Sequence, residues 1–76
     1  MSKQPLSFSQ QPSQMEMQPL LQLLNTGKLA EAELVAEKLV ARYPNSFILH
    51  QILGIAQDGL AKFDAAVKSY TKALSI

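Results

Sequence analysis

The chain has 76 residues, no cysteine, and seven basic against six acidic side chains. That length supports one small domain burying only about 60% of its unfolded surface, and the missing thiols exclude disulfides, thiolate metal sites and cysteine nucleophiles. Scattered lysines at near-neutral charge leave no footprint for phosphate backbones, so nucleic acid is not an expected partner.

No run approaches the roughly 20 apolar residues of a membrane span, and the amino terminus lacks a charged region followed by an apolar stretch. No membrane contact is expected, and the expected setting is the cytoplasm. Met1 to Pro12 is rich in Gln, Ser and Pro, with Leu6 and Phe8 its sizeable apolar groups after the first residue. Such a segment does not offset its ordering entropy, so residues 1–12 are expected to form a disordered tail.

From Ser13 the pattern changes. Ser13 and Glu16 have the spacing of a capping box, and Met17, Leu20, Leu21 and Leu24 recur at three and four residues, which predicts a first helix ending near Gly27. Pro19 interrupts it, and the helix either kinks there or begins there. Leu29, Ala32, Ala36, Leu39, Val40 and Tyr43 form the apolar stripe of a second helix. Glu31, Glu33 and Glu37 are assigned to its solvated faces, where pairing with Lys38 or with water is the expected outcome.

Tyr43-Pro44-Asn45-Ser46 stops that helix, since the residue before proline avoids helical geometry and Asn45 or Ser46 can cap the next one. Ile48, Leu49, Ile52, Leu53, Ile55 and Ala56 predict a third helix, apolar over more than half its circumference. Gly59 suits its carboxyl-terminal cap. Phe63, Ala66, Val67, Tyr70, Ala73 and Leu74 define a fourth. No alternating strand pattern competes, so the expected fold is all-α, built from antiparallel helical hairpins.

Sliding the chain against itself by 34 residues pairs Leu29 with Phe63 and Ala32 with Ala66. Leu53-Gly54, Ala66, Tyr70 and Ala73 then fit the order and spacing of a known repeat, and in these residues the chain resembles the tetratricopeptide family, whose unit has this length. Gly54 and Ala66 would let two helices approach closely, while Leu53 and Tyr70 fill space beside the crossing. Pro44 matches the proline that closes a unit.

Departures from the pattern are equally plain. His50 and Gln57 replace large aromatics, Ala61 replaces a frequent glycine, and Pro19-Leu20 stand for the Leu-Gly pair of the first unit. Ala36 and Leu39 reverse the large-then-small order of Tyr70 and Ala73. The resemblance implies about two units, one over residues 13–46 and an incomplete one over residues 47–76. Gly27-Lys28-Leu29-Ala30-Glu31-Ala32-Glu33, Tyr43-Pro44-Asn45 and Leu53-Gly54 also resemble the beginning of longer bacterial repeat proteins, some with a transferase domain downstream.

No polar constellation for catalysis is present, and no cofactor is expected. His50, the sole histidine, has no nucleophile, carboxylate or second ligand at suitable spacing and is assigned a structural or surface place. In the family the first helix of each unit lines a concave groove. The resemblance therefore implies groove positions at Ile48, Gln51, Ile55 and Asp58, joined by Met17, Leu21 and Leu24. That surface is mainly apolar, and the basic residues and asparagine that grip a terminal carboxylate are missing from it. An apolar peptide or helix is the expected partner. Val67, Tyr70 and Leu74 would leave an open apolar face, which points to a homodimer or to adjoining repeats.

Overall fold

The computed structural model describes residues 11–76, so most of the expected tail lies outside the described residues. Four α-helices run in succession: α1 (Gln14–Asn25), α2 (Leu29–Arg42), α3 (Phe47–Gly59) and α4 (Phe63–Leu74). The described residues contain no strand. Each helix packs on its neighbours in sequence, α1 on α2, α2 on α3, and most extensively α3 on α4. The result is an all-α array of helical hairpins measuring 46 × 25 × 15 Å.

Ser13 opens α1 as its spacing predicts. Its hydroxyl accepts from the Glu16 amide at 3.1 Å, and the Glu16 carboxylate accepts from the Ser13 amide at 2.9 Å, which satisfies two of the donors a helix start leaves free. Pro19 sits inside α1 and does not begin it. It has no N–H for the preceding turn, and both Met15 and Pro19 are exposed, so water can serve the carbonyl left over. Leu20, the next residue, is fully buried and anchors the helix.

The α1–α2 and α3–α4 turns are built alike. The Lys28 amide donates to the Leu23 carbonyl at 2.9 Å and the Gly27 amide to Leu24 at 3.1 Å. Thirty-four residues later, the Lys62 amide donates to Gln57 at 2.8 Å and the Ala61 amide to Asp58 at 3.0 Å. This paired closure of the last helical carbonyls requires a left-handed residue just past the cap. Gly27 supplies it at φ 75° and Ala61 at φ 62°. The expectation that Gly59 caps α3 is therefore corrected: Gly59 is the last helical residue, and its role is close approach. A Cβ there would come within 2.6 Å of Leu29 Cδ1.

Between α2 and α3, Ser46 is the capping residue, buried, with its hydroxyl accepting from the Leu49 amide at 3.3 Å. The same hydroxyl donates to Gln11 Oε1 at 2.7 Å, so this end of the expected tail is tied to the start of α3. His50 is buried with Nε2 2.7 Å from the Pro44 carbonyl, which can only accept, so that nitrogen carries a proton.

The core gathers Leu20 of α1, Ala32, Ala36 and Leu39 of α2, and Leu49, Ile52, Leu53 and Ala56 of α3, with Met17, Leu23, Leu24, Val35, Val40 and Tyr43 packed around it. Alanines on α2 admit the bulk of α3, so small residues set the spacing and large ones fill it. Between α3 and α4, Ala66 and Ala73 are buried. There the buried Ser69 hydroxyl donates to Gln57 Oε1 at 2.6 Å. Gln57, a buried polar side chain, thus finds its own partner.

Candidate protein-binding surface

The two predicted groove rows lie on α1 and α3. Met17, Leu21 and Leu24 recur at four and three residues along α1, and Gln51, Ile55 and Asp58 do so at positions 34 further on, with Ile48 one turn before them. Leu21, Ile48 and Ile55 are 40 to 46% exposed. Asp58 is exposed and Gln51 half-buried. Met17 and Leu24 are spent partly on the core, packed against its buried cluster. The open apolar part of the surface is accordingly Leu21, Ile48 and Ile55.

The predicted self-association face divides similarly. Val67 is 61% and Leu74 85% exposed. Tyr70 is half-buried, its ring lying against Gly54 of α3. The sequence pattern places Phe63 in the stripe that packs α4 inward, yet it is 60% exposed, one turn before Val67. A tight count of helical angles finds it, because residues 63, 67, 70 and 74 share one face and Ala66, Ser69 and Ala73 another.

Glu33 is a second correction. It is buried to 7% exposure instead of lying on a solvated face. Lys62, the residue that caps the start of α4, places Nζ 2.7 Å from Glu33 Oε1 and so ties the second turn to α2. The signal was present: Glu33 falls four residues after Leu29 and three before Ala36, inside the apolar stripe.

A polar cluster joins α1 to the end of α2. The Tyr43 hydroxyl donates to Glu16 Oε1 at 2.8 Å and lies 3.1 Å from Oε2, while Arg42 Nη1 stands 2.9 Å from Glu16 Oε2. The Arg42 guanidinium also sits 5.4 Å from the Tyr43 ring centre. The Ser13 amide, then the Tyr43 hydroxyl, hold the Glu16 carboxyl below its usual range, with the Arg42 charge adding less. Donating to a carboxylate pushes the Tyr43 phenol up. Every partner in this cluster is accounted for by structure, which gives it the chemistry of a clasp.

Among the described residues no group of three or more His, Cys, Asp or Glu side chains could hold a metal ion. No helix there is long and apolar enough to cross a membrane. Comparison with protein-family models, with curated proteins and with solved structures yields no match.

Proposed function

We propose that the chain is a non-enzymatic protein-interaction module that holds an apolar peptide or helix against α1 and α3. The observation that carries this reading is the exposure of Leu21, Ile48 and Ile55 on the outward rows of those two helices, while the core is complete without them. Surfaces of this kind are kept in contact with water at a cost and mark sites of association. The repeated turn at Gly27 and Ala61, 34 residues apart, supports the resemblance to tetratricopeptide units. In such units first helices carry the ligand, and the cytoplasm is part of the same proposal.

The test is fluorescence anisotropy with a labelled amphipathic helix of Leu, Ala and Gln, about four turns long. Saturable binding that weakens about tenfold or more in Ile55→Asp, with helix content retained, is the expected result. No saturable binding, or binding indifferent to Ile55→Asp, overturns it.

A second reading, self-association, is favoured by a separate observation. Phe63, Val67 and Leu74 are the most open apolar side chains of α4, and none belongs to the groove rows. This face suits a homodimer.

A further inference from the structure

The chain's own repeat shows what the α4 face lacks. Position by position, 34 residues apart, Phe63, Val67 and Leu74 correspond to Leu29, Glu33 and Val40 of α2. All three of those are covered in the structure. Leu29 lies against Gly59, Glu33 holds Lys62, and Val40 packs on the core. On α4 the same three positions are open to water, and with Tyr70 they form an unbroken row at spacings of four, three and four residues.

The opposite end of the array bears on how a second copy could cover that row. Leu49, Ile52 and Ala56 of α3 join the core cluster with α2 and Gly59 meets Leu29, and their counterparts on α1 are Met15, Gln18, Gln22 and Asn25. All four are exposed, and three carry side-chain amides. The amino-terminal end is thus already faced with polar groups. A second copy stacking head to tail would bury these amides against Phe63, Val67 and Leu74 without hydrogen-bond partners, an unfavourable exchange.

We propose that two copies pair tail to tail across a two-fold axis, α4 against α4 and antiparallel. This rests on the self-association reading above and specifies its geometry. The α4 row, apolar along its length, is complementary to itself, which is what an isologous interface requires. Antiparallel pairing sets Phe63 of one copy over Leu74 of the other and Val67 over Tyr70. It also sets the amino-terminal end of each α4 beside the carboxyl-terminal end of the other, so that the helix dipoles oppose, whereas parallel pairing sets like ends together. The contact closes at two copies and leaves the Leu21, Ile48 and Ile55 surface free on each.

The absence of native cysteine makes the geometry directly readable. Sedimentation from micromolar to sub-millimolar concentration is expected to show a monomer–dimer equilibrium with nothing larger. Val67→Cys should form a disulfide-linked dimer on mild oxidation, and a mixture of Phe63→Cys with Leu74→Cys should give the mixed disulfide. A mixture of Gln18→Cys with Leu74→Cys should not cross-link. Val67→Lys should keep its helix content and lose the dimer. A chain that stays monomeric throughout overturns this pairing and the self-association reading together. Association that grows past two copies, that cross-links Gln18→Cys to Leu74→Cys, that leaves Val67→Cys unlinked, or that persists in Val67→Lys overturns the pairing alone.

Discussion

The ring of Tyr70 lies directly over Gly54: a Cβ on Gly54 would stand 2.6 Å from Cε1 and 2.7 Å from Cδ1 of that ring. Glycine inside a helix ordinarily costs about 1 kcal/mol relative to alanine, so propensity alone predicts that Gly54→Ala stabilises. The ring packs against α3 and must shift to admit that methyl group. Gly54→Ala is expected to destabilise by about 1 to 3 kcal/mol. Urea denaturation settles the sign, and a gain in stability would refute the contact.

Ala61 offers the opposite case. Its left-handed backbone costs an L-residue about 1 to 2 kcal/mol, part of which glycine returns in chain entropy. Ala61→Gly should therefore stabilise by about 1 kcal/mol, and Gly27→Ala should destabilise by a similar amount. No atom lies within 4 Å of a Cβ at Gly27, so its loss would come from the backbone alone. Thermal midpoints of the two variants moving in the same direction would contradict a shared turn geometry.

Removing Lys62 strands a buried acceptor. Lys62→Met is expected to cost about 1 to 3 kcal/mol, because the Glu33 carboxylate loses the donor 2.7 Å away and has little water in its place. The pair Glu33→Met with Lys62→Met should be close to neutral, since matched apolar replacement spares the desolvation. A double-mutant cycle measures the difference. Simple additivity of the two single losses would show that they do not interact.

The Ser13–Glu16–Tyr43 clasp makes stability depend on pH from both sides. Glu16 has a lowered folded pKa, so its contribution is complete above the ordinary carboxylate range and is lost as pH falls through the folded value. Tyr43 has a raised one, so its contribution is complete below the ordinary phenol value of about 10 and is lost as pH rises through the folded value. Tyr43→Phe should flatten the alkaline limb and shrink the acid one, while Ser13→Ala, which keeps the amide that donates to Glu16, should trim the acid limb slightly and leave the alkaline one. Thermal midpoints tracked from acid to alkaline pH test both.

Much of this fold could be read from spacing. Ser13 with Glu16, the Leu29 to Tyr43 stripe, the stop at Pro44 and the row from Phe63 to Leu74 each depend on neighbours in sequence, and these placed all four helices. The turn residue of α3 was harder. Gly59 carries the usual signature of a cap, but the backbone goes left-handed at Ala61, a residue with no such signature, because the closure repeats the frame set at Gly27. Glu33 was misplaced because its partner, Lys62, lies a whole hairpin away and charge alone argues for water. Exposure at Leu21, Ile48 and Ile55 was partly legible, since α3 is apolar on more sides than two neighbours can cover. Met17 and Leu24 were not separable from them, because their burial depends on how α1 leans on α2.

The largely sequential packing of the helices has a kinetic consequence. With α1 resting on α2, α2 on α3 and α3 on α4, little of the structure waits for distant parts of the chain to meet. Chains of such low contact order fold in microseconds to milliseconds. The α3–α4 hairpin has the most extensive contact and its own Gly54–Tyr70 and Gln57–Ser69 fastenings, which makes it the natural nucleus. Assembly would then spread toward α1, whose thinner contact with α2 makes it the last to dock and the first to exchange its amide hydrogens.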